Sequence, residues 1–196
     1  MKKITILMIA MCATVGAYAQ FNQGRMLVGG SLAFQSVTSK YKFDGQTTTE
    51  GKSTDFSIAP QFGYFVIDNL AVGATLDVTL SKWKDDDGDY ESTATILEFQ
   101  PTVRYYLPMG VFFQGQFGIG TGKYKDDEDG NVDEEKFTRT SFAGAVGYAI
   151  FLNDNIAIEP MIGYGSSGDK YKDADYKDIN NGLFVRVGIQ AYLGNK

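Results

Sequence analysis

Leu70-Ala71-Val72-Gly73-Ala74-Thr75-Leu76-Asp77-Val78-Thr79-Leu80-Ser81 alternates without a break. Leu70, Val72, Ala74, Leu76, Val78 and Leu80 fall on one face, and Ala71, Gly73, Thr75, Asp77, Thr79 and Ser81 on the other. A period of two over this length is a strand signal that no helix produces. The same reading extends upstream to runs at 26–42 and 55–66. Downstream it gives runs at 95–107, 111–120, 139–152, 156–165 and 183–193. The spacing therefore predicts eight strands.

Short turns at Ile67-Asp68-Asn69, Pro108-Met109-Gly110 and Asn153-Asp154-Asn155 alternate with four longer polar loops, expected over 43–52, 85–91, 126–136 and 173–181. A lysine–aromatic–lysine tripeptide marks the approach to each loop: Lys40-Tyr41-Lys42, Lys82-Trp83-Lys84, Lys123-Tyr124-Lys125 and Lys170-Tyr171-Lys172. A unit recurring at this spacing indicates four copies of one up-and-down hairpin. Such a chain closes with all turns and both termini at one end and all loops at the other.

The first nineteen residues read as a secretory signal, with Lys2 and Lys3, an apolar segment from Ile4 to Val15, and Ala17-Tyr18-Ala19 as the cleavage site. The apolar segment is short of the ~20 residues a spanning helix needs. Acylation of Cys12 is the alternative, with Met11 a poor residue before it. Cleavage after Ala19 would leave residues 20–196 as one domain without cysteine, carrying 16 basic and 24 acidic residues, a net charge of −8. That balance argues against nucleic acid as a partner. If the chain enters a membrane it does so as a closed barrel, since only helices and barrels satisfy their backbone groups in lipid.

Alternation alone does not separate a membrane barrel from a soluble lipocalin-type barrel turned the other way. Side-chain size and charge decide. The polar face is mostly Gly, Ala, Ser, Thr and Gln, suited to a narrow eight-stranded interior and too sparsely charged for a water-facing surface. The bulky apolar face is then the lipid face, and the fold is all-β, an eight-stranded antiparallel up-and-down transmembrane β-barrel. Asp55, Asp77, Glu98, Arg104, Arg139, Glu159 and Arg186 point inward on this reading. Buried charges are expected to pair, filling the interior as a plug; a gated or narrow pore is the competing reading.

With this pattern in place, the chain resembles the small eight-stranded outer-membrane β-barrel family of Gram-negative bacteria, the OmpA/OmpX type often labelled porin-like. The resemblance covers the whole mature chain and rests on pattern, not on a catalytic motif. It implies an outer-membrane location with periplasmic termini and extracellular loops, insertion by the barrel-assembly machinery, and outer-membrane lipid as surroundings. Members commonly end on an aromatic residue; here Tyr192 is followed by Leu193-Gly194-Asn195-Lys196.

The chain has no histidine, and its single cysteine is Cys12. Triads, Cys-His pairs and His-ligated metal sites are excluded, and lipid A-modifying barrels of similar size depend on a histidine. No enzyme activity and no cofactor are expected. The acidic stretches at 85–89 and 126–130 do not fit the EF-hand pattern, because the first ligand positions would be Trp83 and Lys125; loose divalent binding is the weaker alternative to solvated loops.

The tripeptides set a depth. In three ascending strands the first lysine lies 12 residues beyond the first outward apolar residue, as from Leu70 to Lys82. At roughly 2.5 Å of climb per residue this is about 30 Å, just past an apolar band ~25 Å tall. If no bulge intervenes, Lys40, Lys42, Lys82, Lys84, Lys123, Lys125, Lys170 and Lys172 ring the outer headgroup level, and Tyr41, Trp83, Tyr124 and Tyr171 close the top of the interior. The lysines would contact lipopolysaccharide phosphates or simply snorkel. The expected role is structural or surface-interacting, by a monomer whose loops meet an unidentified extracellular partner; a narrow pore or transporter for small solutes is the alternative.

Overall fold

The computed structural model describes residues 21–43, 46–85, 90–128, 131–171 and 177–194, with side chains described for all of these except 35–43, 46–50, 90, 127–128 and 131–132. The proposed signal, the side chains of Lys40, Tyr41 and Lys42, and all of Lys172 lie outside the described residues.

Nine strand segments follow one another: β1 (Met26–Phe43), β2 (Gln46–Ile67), β3 (Leu70–Asp85), β4 (Tyr90–Tyr106), β5 (Val111–Glu128), β6 (Asn131–Tyr148), β7 (Ile150–Phe151), β8 (Ile156–Tyr171) and β9 (Lys177–Leu193). From β1 to β6 each strand pairs antiparallel with the next, β7 pairs with β8 and β8 with β9, β9 pairs with β1, and β6 pairs with β8, so the sheet closes. The two-residue β7 is not a ninth stave. Its pairs Ile150↔Ile158 and Phe151↔Ala157 continue the register of Gly147↔Met161, and the break falls at Ala149, whose N–H is diverted to Gly110 O at 2.8 Å. The ring therefore has eight staves, up and down, as the alternation predicts.

Alternation becomes burial directly. Leu76 is 43 % exposed on the outer face while its neighbour Asp77 is 4 % exposed inside. The outer face carries Phe62, Phe99, Phe113, Phe117 and Phe142 among many exposed apolar side chains. A continuous apolar surface of this size suits lipid and not water.

The loop expectation needs correction. Most of the residues expected as polar loops are paired strand: Lys42↔Thr47 and Phe43↔Gln46 in one hairpin, Asp126↔Asp133 and Glu128↔Asn131 in another. In two hairpins opposite charges face each other and support the pairing, Lys84 with Glu91 and Lys125 with Glu134 in register, whereas Asp126 faces Asp133 and Lys170 faces Lys177. The strands run 16–22 residues, about 40 Å or more at ~2.5 Å of climb per residue, so they stand well beyond an apolar band ~25 Å tall. The proviso about bulges also matters, because the β1–β2 register shifts between Ser39 and Lys40; the inward placement of Tyr41 thus does not follow from simple parity.

At the other end the turns are tight. Asn69 (φ 67°), Met109 (φ 78°) and Gly110 (φ 86°) adopt the left-handed conformation the reversals require. The segment just before β1 is tied to this end: Gly24 N–H donates to Phe65 O at 2.9 Å, and Asn69 N–H donates to Phe21 O at 2.7 Å.

Candidate functional site in the barrel interior

The interior is layered. At the turn end Phe21, Phe65, Tyr106, Phe112 and Tyr192, each at most 2 % exposed, form an aromatic floor with Leu27, Met161 and Ala157. Phe21 is not part of any strand; it enters from the segment before β1 and stacks on Tyr106. The interior reading by small residues alone missed this floor. Phe112 finds room because Gly147 faces it; a Cβ there would collide with its ring.

Arg25 lies beside the floor, fully buried, and its Nη2 donates to Tyr192 O at 2.5 Å and Asn155 Oδ1 at 3.1 Å. It binds the chain start to the last strand and the last turn. Nothing in the alternation marks it, since it precedes the first run.

Above the floor, Arg104 and Glu159 pair at 2.6 Å, both at most 1 % exposed. Arg104 spends every direction of its guanidinium: Nη1 also donates to Tyr106 Oη at 2.9 Å, Nε and Nη2 to Gln114 Oε1 at 2.9 and 2.6 Å, and Nη2 to Gln61 Oε1 at 3.1 Å. The plane also lies 4.2 Å from the Phe112 ring centroid. Tyr192 Oη donates to Glu159, so the 2.9 Å contact between the two tyrosine hydroxyls runs from Tyr106 to Tyr192. Gln114 then donates to Gln116, and Gln116 to Gln100, each at 2.8 Å. This directed chain orients the Gln61, Gln114 and Gln116 amides, which is how a buried polar network lowers the cost of unsatisfied groups.

Higher up, Asp77 accepts from Arg186 at 2.6 Å, Ser57 at 2.9 Å and Thr79 at 2.8 Å. Glu98 is 6 % exposed and accepts from Ser141. Arg139 grips Asp169 with two bonds of 2.6 and 2.5 Å. Asp55 is half-buried and makes no ion pair among the described residues. Of the seven proposed inward charges, the fold thus joins Arg104 with Glu159 and Asp77 with Arg186, and gives Arg139 a partner, Asp169, that the sequence reading did not name. Tyr124 and Tyr171 meet at the top with Phe137, at centroid distances of 4.9 Å for Tyr124–Phe137 and 6.2 Å for the two tyrosines.

The lysines with described side chains stand outside the lumen. Lys82 and Lys84 both bind Glu91, and Lys123 and Lys125 both bind Glu134. Lys170 is exposed and opposite Lys177. Each lysine pair keeps one net positive charge after its glutamate is counted. The glutamates respond: the Lys82 bond, then the Lys84 bond, holds the Glu91 carboxyl below its usual range, and Lys123 then Lys125 do the same for Glu134. Among the described residues no group of acidic side chains is arranged to hold a metal ion.

The fold has known likenesses. It resembles Ail, the attachment invasion locus protein of Yersinia pestis, at TM-score 0.54 and 12 % identity, covering 87 % of this chain and 99 % of that one. It also resembles the translocator domain of the autotransporter NalP from Neisseria meningitidis, at TM-score 0.52 and 11 % identity, covering 97 % of this chain and 69 % of that one. At these identities the likeness concerns the fold alone. No curated protein matches the chain in sequence. The family match is in the sequence itself, over residues 5–181. The eight-stave ring with its apolar outer face agrees with that match, and the chain belongs to the outer membrane protein beta-barrel domain family.

Proposed function

We propose that this outer-membrane barrel is a closed, non-conducting structural element whose strand extensions act at the cell surface. The observation that carries this is the obstruction across the lumen: the Phe21–Tyr106–Tyr192 floor with the Arg104–Glu159 pair on top of it. Opening a path there means separating a buried ion pair, which costs several kcal/mol when one partner is lost. Non-enzymatic action is supported by the lack of histidine, and the sole cysteine lies in the proposed signal.

On this reading the turns and both termini are periplasmic and the long hairpins extracellular. The Lys82/Lys84/Glu91 and Lys123/Lys125/Glu134 clusters then lie at the outer headgroup level, where their residual positive charge meets lipopolysaccharide phosphates. Replacing the eight tripeptide lysines by glutamine should lower lipopolysaccharide co-purification. Planar-bilayer recording of the purified protein tests the closed state: no stable single-channel steps are expected, and regular steps would favour a narrow pore.

A further inference from the structure

The ring is not equally closed along its height. β1 runs to Phe43 and β9 starts at Lys177, yet their pairing spans only Met26↔Leu193 to Leu32↔Val187. Beyond Leu32, β1 stays paired with β2 and β9 with β8, so two strand edges face each other without a ladder.

The seam is a passage. A cavity of about 490 Å³ is lined from the lumen by Ala33, Asp55, Phe184 and Arg186, and from the outer face by Leu183 and Val185. It therefore crosses the wall. The four most exposed large apolar side chains among the described residues are Leu183 (75 %), Phe34 (71 %), Val185 (67 %) and Ile179 (66 %), all on these two edges. A missing lateral neighbour accounts for that.

Height and charge narrow the occupant. Leu32 lies six residues above Met26, roughly 15 Å at ~2.5 Å per residue, so the ladder lapses inside an apolar band ~25 Å tall. Bare strand edges do not persist against hydrocarbon, so the gap calls for an occupant. Among the described side chains, that upper lumen holds four carboxylates (Asp55, Asp77, Glu98, Asp169) against two guanidinia (Arg139, Arg186), both already paired with acids. It favours a positive head group.

We infer that the β1–β9 seam is a lateral portal through which a single-chain amphiphile with an amine head enters from the outer leaflet, its head at Asp55 and its chain between Phe34, Leu183 and Val185. This goes beyond the closed-barrel reading; the leaflet of entry rests on the proposed orientation, whereas the cavity itself does not, because the floor lies below it.

Two measurements test it. In a Cys12→Ala background, Leu32→Cys with Val187→Cys should cross-link on oxidation in bilayers, because these residues are register partners. Phe34→Cys with Val185→Cys, one outward step higher, should not. Equal cross-linking of both pairs would mean a zipped seam and would overturn the portal. The second uses the chain without cysteine substitutions. Trp83, the single tryptophan, stands one lumenal step beyond Ser81, the register partner of Asp55. A brominated long-chain amine should quench its fluorescence at about tenfold lower concentration than the matching carboxylic acid, a difference of ~1.4 kcal/mol. Asp55→Asn should remove the preference. Equal quenching by both probes, or a preference that survives Asp55→Asn, would reject the amine site.

Discussion

Phe21 lies flat on Tyr106, ring centroids 4.1 Å apart and planes 19° from parallel. Phe21 also touches Phe65 and Tyr192, at 6.2 and 5.7 Å. A residue outside every strand is thus the hub of the floor. Phe21→Ala should lower stability to denaturant in lipid by ~3 kcal/mol, the lower end for an aromatic removed from a core. The change should appear together with faster amide exchange at Gly24 and Asn69, whose N–H groups are bonded to Phe65 O and Phe21 O. Unchanged unfolding would mean that the chain start is not part of the folded floor.

The buried Arg104–Glu159 pair predicts an asymmetry between single and double substitutions. Glu159→Gln keeps the shape but leaves the Arg104 guanidinium without a counter-charge, and should cost about 3–5 kcal/mol. Arg104→Met with Glu159→Leu removes both charges and should recover much of that loss. Urea unfolding in lipid vesicles reads both, and a double variant weaker than Glu159→Gln would contradict the argument.

These two features differ in how far the sequence discloses them. Arg104 and Glu159 sit on the inward parity of clear alternating runs, so their placement in the lumen could be read, though not their partnership across strands 55 residues apart. Asp169 shares the parity of Glu159 on β8 and could have been found by continuing the alternation past Gly165 through Ser167. Ser166, Ser167 and Gly168 look locally like loop, which hides that continuation. Phe21 and Arg25 carry no such signal: their contacts come from the chain start folding across the barrel end, at separations up to 167 residues. The strand extensions are hidden for a related reason. Charged residues suggest loops locally, and only the opposite strand shows that Lys84 meets Glu91 and Lys125 meets Glu134. The lapse in the β1–β9 ladder has no sequence mark either, since both runs alternate through it.

Two glycines on β6 should behave oppositely. A Cβ at Gly147 would strike the Phe112 ring, whereas one at Gly144 meets nothing within 4 Å. Gly147→Ala should cost about 1–3 kcal/mol, as overpacking does, and Gly144→Ala should be near neutral. A thermal-shift comparison of the two variants on heated gels suffices; equal loss from both would show that strand propensity, not the Phe112 contact, governs the site.

The hairpin of β5 and β6 should be sensitive to acid through Glu134. The Lys123 bond, followed by the Lys125 bond, lowers its carboxyl pKa in the folded chain. A depressed folded pKa contributes order above the unfolded value, ~4.3 for glutamate, and that contribution is lost as pH falls through the lowered value. Because the cluster is exposed, the effect on global stability should be small and weakened by salt. The local effect is the one to measure. Amide protection, expressed as a factor over the unstructured rate at each pH, should hold over 123–128 and 131–134 at neutral pH and fall only once the pH has dropped below the unfolded glutamate value. Glu134→Gln should flatten that dependence while leaving the Lys82–Glu91 hairpin unchanged. A pH dependence that survives Glu134→Gln would assign the transition to another carboxyl.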